Sequence, residues 1–519
     1  MNLRLKDIIL AYNAIKKRAF LEYEKGNYDK CLLYIDNAVV LSSQIMWKYS
    51  DNEFEDLLMN ISQKIIVGKK ENYQSKDNRV VFYDAFGLTY ILAIQYINAL
   101  LALGKDILYI YEEREHQHKK LVPVVDLFKK YPNLKIEIIT SKKKTEKIQE
   151  IYETITNFQP SKVFIHIDTY SAVIPVLYSL PSEITSYFIN LGDHTFWLGT
   201  KGIDYTFEFR SFGAVVSNEK RGISKDQTIL LPYYPIVDNK EFIGFPKETR
   251  NKVIIFSGGD IYKTIDKDNT YWELVKSVLN ENPNAVVLFA CKLTNNEGPK
   301  ILKKFIQDNH FEQRFINIGF RPDINEVFKN CDIFMGTCPM SGGLMSQYAA
   351  VNSKPILQYY PANRFPDNET ESVICYNDKI DISYTDKKSF LKEAKRLIDN
   401  VTYRTEKGEK IKSCMITEDQ FNKLFAKSIE THITPVEIEY VKVHYDALTN
   451  WWIEIGNKGY YDASAFIYEV LGIGGLFEVP KIISTYLFKR YIIGKVLDIN
   501  RYKSILSNKN DISTISETN

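Results

Sequence analysis

Three short stretches hold residues whose types and spacing can do chemistry. In "IIFSGGDIYK" (254–263) an apolar run stops at Ser257-Gly258-Gly259, and Lys263 stands in the loop before the next helical pattern. A strand that ends in glycines and feeds a helix lets backbone N–H groups approach an anion, and the helix N-terminus favours negative charge. A lysine at that place adds a point charge suited to a diphosphate. Glycine turns are common, so an ordinary turn with a solvated lysine is the competing reading. In "GTCPMSGGLMSQY" (336–348) a second glycine turn, Ser341-Gly342-Gly343, opens a helix at Leu344. Both turns are expected at the carboxyl edge of one sheet, an arrangement that suits a diphosphate better than two unrelated turns do. In "NLGDHTF" (190–196) Asp193 and His194 follow another apolar run. Group transfer to a hydroxyl or amide needs a residue that removes the acceptor's proton, and adjacent Asp and His can act as base and partner. The alternative is that His194 caps a strand and Asp193 begins a turn. Asp84, at the glycine turn of the first strand, is the reserve base.

Other polar residues read more plainly. Asp266 and Asp268 resemble a metal-binding pair, yet they precede "NTYWELVKSV", where Asp268 or Asn269 would cap a helix. We therefore expect no metal there. His116 and His118 lack a placed cluster of Cys or acidic partners and read as solvated. Arg321, after a strand ending at Gly319, reads either as a nucleotide contact or as a surface charge.

The elements that must position these residues form two series. "RVVFYDAF" (79–86), "DILYIY" (106–111), "KIEIIT" (135–140), "KVFIHID" (162–168) and "SYFINL" (186–191) are apolar runs separated by helical patterns. Buried parallel strands look like this, so an α/β doubly wound lobe is expected. The segment 229–251, with Pro232, Pro235 and Pro246, reads as a linker. "KVIIFSGG" (252–259), "AVVLFA" (285–290), "RFINIGF" (314–320), "CDIFMGT" (331–337) and "KPILQYY" (354–360) begin a second such lobe, followed by helices over 386–399 and 417–430. Two Rossmann-like lobes leave a cleft at the carboxyl ends of both sheets, where open α/β sheets bind ligands. Residues 19–43 have helical spacing on both sides of a turn at Gly26, like one tetratricopeptide-type hairpin. A single copy cannot build a solenoid, so a helical cap is expected more than a docking arm. The expected domains are 1–75 (helical), 76–235 (first lobe, acceptor side), 236–435 (second lobe, nucleotide side) and 436–519 (helical tail with a frayed end).

With 519 residues the chain exceeds one ordinary core. A net charge of +2 leaves no basic excess for a nucleic-acid backbone. Six cysteines without paired spacing suit a reducing compartment. The N-terminus lacks a cleavage-type signal and no run reaches about 18 apolar residues. A cytoplasmic protein is expected. The tail "GGLFEVPKIISTYLFKRYIIGKV" (474–496) mixes basic and apolar groups. It is expected to pack back across the lobes, with contact at an anionic membrane surface as the alternative.

Strand, glycine turn, "YK", a further strand, "GF…VFKNCDIFMGT", a second glycine turn and "KPIL" resemble the nucleotide-binding lobe of GT-B glycosyltransferases. The likeness is to the O-GlcNAc-transferase-like group and the cytoplasmic adhesin-modifying N-glycosyltransferases, over roughly residues 79–361. It implies that Lys263 meets the donor diphosphate, that the amides of Gly342, Gly343 and Leu344 hold it, and that a helical-repeat segment precedes the lobes. Two departures stand out. The group places an acidic residue on the ribose where this chain has Gln347 or Tyr348, and a histidine where it has Leu88-Thr89-Tyr90. The implied function is metal-independent transfer of a sugar from a nucleotide diphosphate, UDP-linked by preference, to a protein or bacterial surface glycan. No cofactor is expected. The alternatives are an inactive GT-B-shaped partner that binds an acceptor polypeptide for another glycosyltransferase, and a sugar-nucleotide epimerase.

Overall fold

The computed structural model describes residues 3–68, 72–85, 91–112, 130–237, 240–291, 297–360, 370–458, 463–488 and 490–491. The glycine turn and tripeptide at 87–90, the pair His116 and His118, and the terminal residues 492–519 lie outside them.

Two parallel sheets carry the architecture. The first contains β1 (Lys76–Asp84), β2 (Asp106–Glu112), β3 (Leu134–Ile139), β4 (Pro160–His166), β5 (Thr185–Ile189), β6 (Tyr205–Glu208) and β7 (Thr228–Leu230) in the order 3-2-1-4-5-6-7. The second contains β8 (Val253–Gly258), β9 (Ala285–Ala290), β10 (Phe315–Asn317), β11 (Ile333–Met335), β12 (Ile356–Tyr359) and β13 (Ser383–Tyr384) in the order 10-9-8-11-12-13. Neighbours pair in parallel, as between β1 and β4 and between β8 and β11. The central runs, Val80–Tyr83 and Val163–Ile165 among them, are wholly buried because helices cover both faces. This is the expected α/β arrangement of two Rossmann-like lobes. Strand order reverses between β1 and β4 and again between β8 and β11, which is where open sheets of this kind hold ligands.

The chain path departs from the expected boundaries. Strands β6 and β7 extend the first sheet, and β7 falls at the start of the segment read as linker. The helix Glu418–Thr431, expected in the second lobe, returns to the first. Its Phe421 and Phe425 share a core with Tyr96, Phe164 and Phe207, with Tyr96 edge-on to both at 5.4 Å. The chain then recrosses: Tyr445 donates to Glu219 of the first lobe (2.8 Å), and Trp451 Nε1 donates to the Ile265 carbonyl of the second (2.7 Å).

Two compact units are present, residues 42–452 and residues 1–41 with 453–519. Helix Asn52–Ile65 belongs to the first of these, where buried Glu55 accepts from the Gly199 amide (2.8 Å) and Ser62 meets Ser179 (2.7 Å). In the other unit, helices Leu5–Glu24 and Tyr28–Ile45 turn at Gly26 (φ +75), as the hairpin pattern requires. Arg18 there bonds Glu478 (2.7 Å) and the Leu471 carbonyl (3.0 Å), and Lys481 pairs with Asp7 (2.7 Å). The helix Pro480–Phe488 is thus clamped to the N-terminal helix. No described helix is long and apolar enough to cross a membrane.

Candidate functional site

The glycine turns follow β8 and β11, adjacent strands at the reversal point of the second sheet. Lys263 joins them: its Nζ lies 3.4 Å from the Ser341 carbonyl, and its own carbonyl accepts from Met340 N at 3.4 Å. The loop is fixed locally, since the Lys263 amide donates to the Asp260 carbonyl (3.0 Å). Helix Gly343–Val351 points its N-terminus at this junction, and no side chain caps it.

The glycines differ in what they do. A Cβ on Gly258 would stand 2.8 Å from the Ala290 carbonyl, so this glycine serves the close packing of β8 on β9. Ser257 is likewise internal, accepting from the buried Tyr271 hydroxyl at 2.7 Å. A Cβ on Gly342 or Gly343 would meet only Met345 or Val373 at ordinary distances of 3.5 Å or more, and neither residue has positive φ. The fold does not demand glycine at 342 and 343. What glycine provides there is backbone open to close approach from outside. Leu344 is exposed beside them.

Two predicted nucleotide contacts are engaged elsewhere. Arg321 is buried, bonds both oxygens of Asp323, donates to the Gly244 carbonyl (2.9 Å) and lies over Phe242 and Phe245. Its work is to hold the linker. Gln347 is fully buried and donates to the carbonyls of Tyr233 and Val373, both at 3.0 Å, so it clips the lobes together and does not reach a ribose. Tyr348 donates to Ile236 O (3.3 Å) in the same way. The capping assignment also moves: the carboxylate of Asp266, not Asp268 or Asn269, accepts from Thr270 N (2.9 Å) and Asp268 N (3.2 Å). Among the described residues no group of three His, Cys, Asp or Glu is placed to hold a metal.

In the first lobe, Asp193 and His194 follow the carboxyl end of β5. Asp193 is buried, accepts from both Arg210 Nε and Nη2, and is 2.9 Å from His194 Nδ1. Burial works to raise its pKa, but the Arg210 charge and the bonds from His194 and Arg210 outweigh it and hold the carboxyl well below the usual range. Asp193 is therefore a fixed anion, not a proton acceptor. His194 keeps 30% of its side chain exposed, and with Nδ1 turned to Asp193 its Nε2 is the ring nitrogen that can take a proton. Asp84 is fully buried, held by Tyr109 (2.7 Å) and His166 (3.1 Å) across β1, β2 and β4, and cannot meet an acceptor.

A buried network missed in the sequence supports the pair. Glu208, at the end of β6, accepts from Asn190 at 2.9 Å on each oxygen and from Ser217 at 2.5 Å. Arg221 donates to Ser217 (3.0 Å) and to the carbonyls of Asp193 (2.9 Å) and Thr195 (2.7 Å). Burial pushes Glu208 up to about 7 despite the nearby Arg221 charge and these bonds. Helix Ser211–Lys220 can rest on this cluster because residue 213 is glycine, whose Cβ would be 2.3 Å from Glu208 Oε2 and 2.9 Å from Asp193 Cβ. The available signal was "EFRSFG", an acid and an arginine at the end of the unrecognised strand β6. Arg210 also walls a cavity of about 680 Å³ between the lobes, with Phe209, Leu230 and Pro232 from the first and Glu371–Ile374 from the second. Lys263, Gly342, Gly343 and His194 do not line it.

No protein-family model matches this sequence, and no curated protein matches it. Solved structures similar to it include Anabaena HepE in complex with UDP and glucose, 10% identical, with 68% of this chain and 99% of that one covered at a TM-score of 0.49. A mutant O-GlcNAc transferase of Thermobaculum terrenum is 11% identical, with 87% and 83% covered, at 0.49. UDP-GlcNAc 2-epimerase from Neisseria meningitidis, bound to UDP-GlcNAc, is 14% identical, with 68% and 99% covered, at 0.44. At these scores the likenesses assign neither a donor nor an acceptor, and the chemistry of this chain rests on its own residues.

Proposed function

We propose that the chain is a glycosyltransferase that uses a nucleotide-diphosphate sugar, UDP-linked by preference, without a metal. The observation that carries this reading is Lys263 bridging two adjacent glycine turns at the reversal point of the second sheet. The diphosphate rests on the amides of Gly342, Gly343 and Leu344, with the Lys263 ammonium as counter-charge. Phe320, 73% exposed at the carboxyl end of β10, offers a flat apolar face to the base. The acceptor heteroatom attacks the anomeric carbon while the bond from that carbon to the diphosphate oxygen breaks. His194 Nε2 takes the acceptor's proton, and Asp193 holds the imidazole in place through Nδ1. The growing negative charge on the diphosphate is met by Lys263 and the fixed amides, the kind of electrostatic contribution that commonly dominates such steps. Metal is dispensable in this scheme because Lys263 supplies the positive charge and Asp266 is occupied as a cap. The acceptor is a protein or a surface glycan, entering from the first-lobe side.

A second reading is favoured by Gln347, whose buried amide leaves no side chain from that helix position for a ribose. In it the chain is an inactive two-lobed partner that binds an acceptor polypeptide for another glycosyltransferase. Calorimetry with UDP and GDP, followed by turnover of a panel of UDP-sugars with and without acceptor, separates the readings. The transferase binds UDP and releases it from at least one donor in a chelator-resistant reaction. Absence of UDP binding removes the proposal. Donor turnover without any acceptor, yielding an epimer, replaces it.

A further inference from the structure

The cradle and the base belong to different lobes, and one residue of the segment that joins the lobes is tied to both. Tyr233 follows β7, and its carbonyl accepts from Gln347 Nε2 at 3.0 Å. Gln347 stands four residues beyond Gly343 on one helix, so about 6 Å of helix separates this bond from the amides that face the diphosphate. On the other side, the Tyr233 ring lies edge-on to Phe209 at 5.2 Å, next in sequence to Arg210. Its hydroxyl feels the charges of Arg210 and Asp193, the ion pair against which His194 rests. Burial pushes that hydroxyl up to about 12, with Arg210 acting to lower it and Asp193 to raise it. Tyr233 therefore carries a neutral phenol, able both to donate and to accept. Phe209 and Pro232 line the cavity between the lobes, and Tyr233 does not.

The fold makes no use of this hydroxyl. Tyr109, Tyr271 and Tyr348 commit theirs to the structure, donating to Asp84 (2.7 Å), Ser257 (2.7 Å) and the Ile236 carbonyl (3.3 Å). Among the described residues the Tyr233 hydroxyl has no hydrogen-bond partner, and its oxygen is not sealed from solvent. The side chain is half-buried, and Gln347 fixes the backbone beneath it. A pre-positioned, unused phenol thus stands where the two half-sites approach one another. With the diphosphate on the second lobe and the base on the first, the group between them is the donor's sugar. Its hydroxyls are the partners that such a phenol lacks.

We propose that the Tyr233 hydroxyl hydrogen-bonds the sugar of the donor and orients it toward His194, an assignment that rests on the transferase reading above. The test compares the full chain with Tyr233→Phe, which removes one oxygen and keeps the ring. Three measurements are made: the melting temperature of the free protein, the affinity for UDP by calorimetry, and kcat/KM for whichever UDP-sugar of the panel wild type turns over. The variant should melt with wild type, because no bond within the protein is lost, and should bind UDP equally well, because UDP carries no sugar beyond its ribose. Its kcat/KM should fall by about 3- to 10-fold, the worth of one hydrogen bond. Equal kcat/KM for the two proteins overturns the proposal and leaves the transferase reading standing. A matching loss of UDP affinity overturns it as well, since the residue would then serve the nucleotide, and so does a lowered melting temperature, which would make its role structural. Absence of UDP binding by wild type overturns both readings together.

Discussion

Removing the Lys263 ammonium is the most direct perturbation of the proposed cradle. In Lys263→Ala both backbone bonds of residue 263, to Asp260 O and from Met340 N, remain available, while the 3.4 Å side-chain contact to the Ser341 carbonyl is lost. The apo fold should therefore melt within a degree or two of wild type. A unit charge about 4 Å from one diphosphate charge at an effective dielectric of about 20 is worth about 4 kcal/mol. Lys263 is half-buried, so solvent screening reduces this to roughly 1–3 kcal/mol, or about 10- to 100-fold in affinity for UDP. Titration calorimetry with UDP and with uridine is the assay. UDP affinity should fall by that factor, the loss should shrink at high salt, and uridine should bind wild type and variant alike. Unchanged UDP affinity would refute the reasoning, and so would an equal loss for uridine, because the lysine would then act on something other than phosphate.

His194→Ala should lower the transfer rate by about 10²- to 10⁴-fold while leaving UDP affinity as it was, a split that stopped-flow or steady-state assays resolve. Asp193→Asn leaves Arg210 buried without its counter-charge and should destabilise the protein by about 3–5 kcal/mol in urea unfolding. Combining it with Arg210→Met should recover much of that loss. Glu208 has its folded pKa raised by burial from 4.5 to about 7, so the folded state favours the neutral acid. Its contribution is complete below pH 4.5 and is lost as pH rises through about 7. Urea midpoints at about pH 5 and about pH 8 should show wild type losing on the order of 3 kcal/mol that Glu208→Gln does not lose.

Apolar runs such as VVFY (80–83), ILYIY (107–111) and AVVLFA (285–290) were legible as strands, and with the two glycine turns of the second series they located both lobes. Strands β6 and β7, four and three residues long, carry Thr206 and Thr228 and gave no comparable signal. Missing β6 hid Glu208 and Arg210, and with them the reason Asp193 stays ionised. Sequence shows residue type but not partner. Arg321 and Gln347 looked free to meet a nucleotide until Asp323, Gly244, Tyr233 and Val373 were seen to engage them. Composition likewise could not separate Gly258, demanded by Ala290, from Gly342 and Gly343, which the fold leaves open. The return of helix Glu418–Thr431 to the first lobe depends on Tyr96 and Phe164, more than 250 residues earlier, a pairing that no local pattern encodes.

Among the described residues the backbone passes from one lobe to the other three times: through the segment after Pro235, near Ile416, and along the helix that carries Tyr445 and Trp451. A single tether would leave the halves able to swivel, tilt and slide. Three tethers, one a stiff rod seated in both halves, cancel most of those freedoms and leave a rocking about the line they define. Grip on a guest molecule in the mouth opposite that line would then be adjusted along one coordinate, so pressure at Trp451 would reach the loop that carries Lys263 through Ile265, two residues beyond it.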